Sequence, residues 1–419
     1  MINNPFTSTT FTGKWSNHFH INKPGSSFSF IGGLLFFKHP RLPLFTNLGK
    51  NLTKGISYKI DDCQQHGLDK KVLLIYDIPD FLTIDTNYSN KQIGLYRIKQ
   101  YPGFLIDLAS YNDLDDYMKS TFSKSSRYKL NKYKKRLEVC FDIRYKMFHG
   151  EITKVEYDSL FDKFKHLLEK RFLDKQTRNN NLDADEWSFY EDVAYSMIIE
   201  KKASLFVIYN KDEPIGVTLN YFSEDILFDA ITVFDIDYAK FHVGSVTIMK
   251  QIEWCLANKI SVLDFSKGYF DYKERWGNKK YDFEYHIYYD KKSFFSNSLA
   301  YSLKIFFLLK QTLRDKHVNE KLHKLTFLLK NKKVVSKQEA HYTFVEIEQE
   351  LQMGKLSKIN ADSDEYKFLK KMIFDFLYLN LEKLSDLKTY SLIDNGSHYL
   401  LEGKSKKMFL QIDDLSKEH

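Results

Sequence analysis

The sequence predicts an α/β protein built on a mixed sheet, and three observations carry that prediction. Short apolar runs bounded by turn residues recur at 26–37, 70–79 and 91–98. Apolar residues then keep helical spacing through 156–172 and 187–197. Between 204 and 289 strands and a helix alternate, and with only 17 Gly and 7 Pro in 419 residues there are few breaks in regular structure.

Taken in order, the first 110 residues read as a β-rich lobe: SFSFIGGLLFFK, KKVLLIYDIP and KQIGLYRI. Neither Gly32-Gly33 nor GKNLTKG (49–55) is followed by an amphipathic helix, and GKNLTKG lacks the full phosphate-loop pattern, so this lobe is expected to bind no donor. From 111 the stretch YNDLDDYMKSTFSKSSRYKLNKYKKRLE predicts a helix capped by Asn112 or Ser110, acidic at its start and basic in its second half. Two amphipathic helices follow, on Tyr157, Leu160, Phe161, Phe164, Leu167, Leu168 and Phe172, and on Trp187, Tyr190, Val193, Ala194 and Met197. Strands are expected at 204–210, 213–223 and 226–235, a helix from Ser245 to Asn258, and strands at 260–266 and 281–289 around a loop with one helical turn. Beyond 293 a helical pair is expected to 337, with ten Lys or Arg against two acids between 304 and 337. A small acidic α+β unit over 338–419 closes the chain, with a helix near 363–383 and strands near 388–393 and 398–402.

Composition narrows the function classes. Hydrophobic residues at 43% and charged ones at 28% are a globular balance, which argues against disorder and against a membrane protein. The net charge of +8 is concentrated at Lys119, Lys124, Arg127, Lys129, Lys132, Lys134, Lys135 and Arg136, a segment that is either a solvated helical face or a grip for an anionic substrate such as tRNA. Cys63, Cys140 and Cys255 fit neither a disulfide framework nor zinc spacing, so no metal is expected. No secretory signal or bilayer-length apolar run is visible, so a cytoplasmic location without stable membrane insertion is expected.

The informative stretch is 226–277. A strand, a loop through Tyr238 with Gly244, a helix and a second strand present a helix N-terminus to an anion beside a strand edge. The layout resembles a GNAT acyltransferase domain. The run Asp264-Phe265-Ser266-Lys267-Gly268, then Tyr272-Lys273 and Trp276-Gly277, resembles the CelD-like branch of that superfamily and the Fem-type transferases built from two GNAT lobes. One departure is the loop Lys240-Phe241-His242-Val243-Gly244-Ser245-Val246, which holds a single glycine where the superfamily has two closely spaced ones.

The resemblance implies two GNAT-like lobes, 1–110 degenerate and 111–292 catalytic, with acetyl-CoA or another acyl-CoA as donor and an amine as acceptor. Fem-type use of aminoacyl-tRNA and a non-catalytic scaffold are the alternatives. Val233 and Phe234 would hold the thioester carbonyl, and His242, Gly244 and Ser245 the pyrophosphate. Asp264, in the apolar run Val262-Leu263-Asp264-Phe265, needs a partner, Lys273 or Arg275, and is either an ion pair or a base. Lys273 between Tyr272 and Trp276 is a candidate functional cation, and Asp229 a candidate base or an outward strand carboxylate. Tyr238 and Tyr269 are candidate acids for the leaving thiolate. Arg127, Lys132, Tyr272 and Trp276 are candidate acceptor contacts.

Overall fold

The computed structural model describes residues 4–20, 24–50, 52–61, 68–82, 84, 92–175, 179–315, 341–346, 356–392 and 395–412. Cys63 and the expected second half of the helical pair lie outside them. The chain begins with a helix that the sequence reading missed, α1 (Thr9–Phe19). Ser8 caps it by accepting the Phe11 amide, and its buried residues Phe11 and Trp15 stand one turn apart, too few for a periodic signal.

The first-lobe strands are β1 (Ser26–Phe28), β2 (Ile31–Lys38), β3 (Leu44–Asn47), β4 (Lys59–Ile60), β5 (Val72–Pro79) and β6 (Ile93–Asp107). β5 is buried along its whole length because both its faces are covered. Leu73 and Ile75 join the core under α1, whereas Val72, Leu74 and Tyr76 join a second cluster on the other face.

The single helix expected from 111 is two, α2 (Leu114–Thr121) and α3 (Lys124–Cys140). Asp113, not Asn112 or Ser110, caps the first, and Ser123 restarts the second by accepting the Ser126 amide. Next come β7 (Ile143–Phe148), α4 (Lys154–Asp174), α5 (Ala184–Ile199), β8 (Ala203–Asn210), β9 (Glu213–Ser223) and β10 (Ile226–Phe234). A 3-10 segment (Ile236–Phe241) leads into α6 (Val243–Ala257), then β11 (Val262–Lys267), α7 (Asp271–Trp276) and β12 (Lys279–Asp290).

These strands form one mixed sheet in the order β1-β2-β3-β5-β12-β6-β11-β10-β9-β8-β7, with β4 paired to β2. The order contains an exchange. β12, the last strand of the second half, lies between first-half strands β5 and β6, and β6 in turn lies between β12 and β11. Two parallel pairs flank this exchanged centre, β3 with β5 and β10 with β11; their neighbours across the exchange are antiparallel.

α8 (Phe294–Asp315) packs Phe307 against Tyr285 and Tyr76 on the face opposite α1. Among the described residues the C-terminal unit is a five-stranded antiparallel sheet, β13 (Tyr342–Glu346), β14 (Leu356–Ile359), β15 (Lys388–Leu392), β16 (Asn395–Glu402) and β17 (Lys407–Ile412), with one α-helix, α9 (Lys370–Asn380). It shares a core with the second lobe, in which Phe374 packs on Phe141 and Tyr238. A cavity of about 590 Å³ between the two, lined by Asn210, Lys211, Lys358 and Lys370, lies away from the strand gap described next.

Candidate active site

β10 and β11 are paired only at their beginnings: Ile226 with Val262, Leu227 with Leu263 and Phe228 with Asp264. Past that point each strand deviates. β10 carries a bulge at Ala230, between the Asp229–Asn220 and Ile231–Leu219 pairs with β9. β11 turns through Ser266, whose φ of 58° is left-handed, and Gly268 follows at φ 121°. The two strands therefore splay, leaving a gap edged by backbone. The Asp235 amide donates to the Ile215 carbonyl, so by antiparallel alternation the Val233 amide also faces β9 and the Phe234 amide faces the gap.

Charged groups gather at the root of the gap. Asp264 is fully buried, and both its oxygens accept from the Tyr281 hydroxyl, at 2.7 and 2.8 Å, while the Ser266 amide donates to Oδ1 at 2.8 Å. Tyr281 on β12, rather than Lys273 or Arg275, is thus its hydrogen-bond partner. Burial pushes the carboxyl up to about 7, against these hydrogen bonds and the nearby charge of Lys273. Lys273, 5% exposed, donates to the carbonyls of Ser266 at 3.3 Å and Lys267 at 2.8 Å, which fixes the left-handed turn. Burial lowers its ammonium to about 8.

Asp229 is half-buried on the splayed part of β10 and accepts from Thr232 Oγ1 at 2.7 Å. Burial raises its pKa, opposed by that bond and by Lys273 and Lys54. Lys54 comes from the first lobe's GKNLTKG loop; burial and the neighbouring Lys267 lower it to about 8. The Lys54 carbonyl accepts from Ser266 Oγ at 3.5 Å, and Lys267 pairs with buried Asp77 of β5, which also accepts from Thr53. Both lobes thus meet at the root.

The other end of the gap is set by α6. Its Val243 and Gly244 amides precede the intrahelical ladder, and His242 starts the helix with a left-handed φ of 50°. One face of the His242 ring stacks on Tyr133 of α3 with centroids 3.9 Å apart while the rest is exposed, and this partial covering and the Arg275 charge lower its pKa. A Cβ on Gly244 would approach Phe234 Cε1 to 2.9 Å, so this glycine is required by packing against the strand end. On the same Phe234 ring lies the Arg171 guanidinium, 4.7 Å from the centroid. Arg171 forms no ion pair among the described residues, and burial lowers its pKa. Tyr272, on α7, is close enough to Arg171 and Asp229 to feel both charges.

The sequence-named residues divide accordingly. Asp229, Phe234, Gly244, Asp264, Tyr272 and Lys273 border the gap. Ser245 is buried within the first turn of α6, its amide donating to the His242 carbonyl at 2.8 Å. Tyr238 does not border the gap; it is enclosed against Phe141 and Phe374, with its hydroxyl accepting from Asn210 at 3.0 Å. Trp276 is fully buried against Phe122 and Tyr117, a core residue rather than an exposed contact. Tyr269 is exposed beside Tyr101. Arg127 caps the end of α2 by donating to the Phe122 carbonyl at 2.8 Å, and Lys132 is half-buried on α3. Arg171, Lys54, Asp77, Lys267 and Tyr281 escaped the sequence reading. Lys54 and Lys267 stood in noticed motifs, GKNLTKG and Asp264-Phe265-Ser266-Lys267-Gly268, but neither was singled out. Among the described residues no group of three or more His, Cys, Asp or Glu is placed to hold a metal ion.

The parallel pair β10–β11 thus opens past its third residue, and α6 lies between the two strands in the chain. Residues 124–274 match the family model of an acetyltransferase (GNAT) domain, a match that spans α3 to α7 of this fold. No curated protein matches the chain. Among solved structures it is similar to FemX, at 11% identity and a TM-score of 0.46 over 67% of this chain and 91% of that one. L-PGS from Bacillus licheniformis follows at 13% and 0.41, over 65% and 85%. A tandem GNAT protein from the clavulanic acid biosynthesis pathway stands at 9% and 0.33, over 68% and 96%.

Proposed function

We propose that the protein is an N-acyltransferase that moves an acyl group from an acyl-CoA to an amine in the gap between β10 and β11. The observation that supports this reading is the gap itself, with the Phe234 amide on its edge and a guanidinium, Arg171, that forms no ion pair among the described residues and shares the Phe234 ring with the start of α6. Arg171 and the Val243 and Gly244 amides are suited to the donor pyrophosphate. The Phe234 amide is suited to the thioester carbonyl oxygen and to the charge that develops on it.

In this reading the acceptor amine enters beside Asp229, gives up a proton to that carboxylate directly or through water, and attacks the carbonyl carbon. The new C–N bond forms, the C–S bond breaks, and the departing thiolate takes a proton from solvent at the mouth of the gap, where burial keeps the neighbouring Tyr272 hydroxyl protonated. Asp264 and Lys273 act one step back: each holds a backbone group of the Ser266 turn, so both are positioning residues. Arg127 and Lys132 remain candidate acceptor contacts on α3, suited to an anionic acceptor.

Calorimetry with acetyl-CoA, a longer acyl-CoA and aminoacyl-tRNA, followed by thiol release in the presence of amines, tests this. Binding of CoA thioesters and amine-dependent thiol release are expected. Binding of charged tRNA with no response to any CoA thioester overturns the donor assignment and favours the aminoacyl alternative.

A further inference from the structure

We infer that α8 docks the protein onto an anionic lipid surface. This goes beyond transfer chemistry and stands on the outer face of the helix alone. The inner face of α8 is spent on the sheet: Ala300 and Phe307 are buried there, and Ser296 donates to the Lys71 carbonyl. The outer face carries Phe294, Phe295, Tyr301, Ile305, Phe306, Leu308, Leu309 and Leu313, all exposed, with Phe294 at 88%, Phe306 at 58% and Leu309 at 59%.

At 100° per residue these side chains fall within an arc of roughly 160°. The other positions in that arc are Ser298, Ser302 and Thr312, so it holds no charged residue. Scattered apolar side chains on a surface need no explanation, but a contiguous uncharged face of this length on one helix does. Lysines stand on both of its borders, with Asp315 the one acid beside it, at the helix's last position. Lys304 lies over the Tyr96 ring on one border, Lys310 is exposed on the other, and Lys291 and Lys292 are exposed just ahead of the helix.

This pattern selects the occupant. A second copy of the chain laid on the same face would set lysine rim against lysine rim. The chain's own stretch 316–337 adds seven lysines and one acid, and brings no complementary charge either. An anionic bilayer surface supplies both parts, an apolar layer for Phe, Tyr, Ile and Leu and phosphate groups for the rim. The mode is lying on the membrane, since no described helix is long and apolar enough to cross one.

The test is flotation of the full chain with phosphatidylcholine vesicles and with vesicles containing about one third phosphatidylglycerol, a fraction chosen to match strongly anionic membranes. Binding to the anionic vesicles that weakens with salt is expected. Phe306→Ser with Leu309→Ser should lower the bound fraction about tenfold or more, because each removes a large apolar contact. Lys304→Gln with Lys310→Gln should flatten the salt dependence. The substituted side chains are solvent-facing, so an unchanged melting temperature checks folding. Equal binding to neutral vesicles overturns the anionic assignment. A dimer by light scattering that the serine pair dissociates, without flotation, assigns the face to a second copy and overturns the proposal. A monomer that does not float and whose residues 294–313 resist hydrogen exchange assigns it to the chain's own segment, with the same result.

Discussion

In the first lobe β3 and β5 run parallel through Leu44–Val72, Phe45–Leu73 and Thr46–Leu74, and in the second β10 and β11 do so through Ile226–Val262, Leu227–Leu263 and Phe228–Asp264. Aligned on these pairs, Leu74 stands where the second lobe has Asp264, Tyr76 where it has Ser266, and Asn47 where it has Asp229. The first lobe uses those positions to close its pair: Asn47, buried, accepts the Tyr76 amide at 2.8 Å across the point where the strands would part. In the second lobe the corresponding amide, that of Ser266, turns back to Asp264, and Asp229 bonds within its own strand to Thr232. Among the described residues no helix lies between β3 and β5, whereas α6 lies between β10 and β11. A shared topology thus yields a sealed seam in one place and an open cleft in the other, and the choice turns on which side chain satisfies one backbone amide.

The strongest way to break this comparison is to make the second lobe resemble the first. Asp229→Asn places the first lobe's amide at the mouth of the gap and removes the proposed base. A loss of kcat/KM of about a hundredfold or more is expected, with donor affinity little changed. Steady-state kinetics beside calorimetry would show it, and parent-level turnover would remove Asp229 from the mechanism.

Donor binding should belong to one lobe. Calorimetry is expected to return a single CoA equivalent per chain, and Arg171→Met should weaken it by about tenfold or more, the usual effect of losing a charge-assisted hydrogen bond. Two equivalents would mean that the sealed seam opens.

Lys273→Met tests the turn rather than the chemistry. With its ammonium bound to two carbonyls, its removal should lower kcat by roughly tenfold while KM for the donor stays near the parent value, as expected for a group that holds the site without touching the donor.

The smallest effect expected is on pH-dependent stability. Asp264 is raised from 3.8 to about 7, so between those values the folded chain holds a proton that the unfolded chain has released. Its contribution is full below pH 3.8 and lost as pH climbs to about 7. Lys273, lowered from 10.5 to about 8, acts in the opposite direction, adding stability as pH rises from 8 to 10.5. Urea midpoints across pH 4 to 7 should therefore fall less steeply for Asp264→Asn than for the parent, and parallel curves would mean that the carboxyl titrates normally.

Much of this was legible in the sequence. The strands and helices of 154–290 announce themselves by period, and Asp264-Phe265-Ser266-Lys267-Gly268 stands out because a carboxylate interrupts an apolar run. The strand exchange was hidden. β6 reaches Asp107, but Tyr101-Pro102-Gly103 in its middle reads as a break, since proline donates no hydrogen bond; in the fold Pro102 sits opposite Asp282 beside a register shift, where a ladder tolerates it. Tyr281 was invisible for a related reason: an alternating strand tyrosine becomes the partner of Asp264 only once β12 crosses into the centre of the sheet. Arg171 lies at the end of an ordinary amphipathic helix, and no local pattern separates it from the other cations of α4. Tyr238 misled because a tyrosine before the helix glycine looks like a site residue until the C-terminal unit covers it.

The exchange of β6 and β12 also governs how the molecule comes into being. β6 emerges from the ribosome with neither of its eventual neighbours made, because β11 and β12 are translated only after the whole of 108–261. At ordinary elongation rates that leaves a strand with two open edges for roughly ten to thirty seconds. During that interval the nascent first lobe is a template for wrong pairing, and its edges invite chaperone binding or aggregation. Once β12 threads between β5 and β6, the two lobes are locked into each other, so neither can unfold and leave the other's sheet intact.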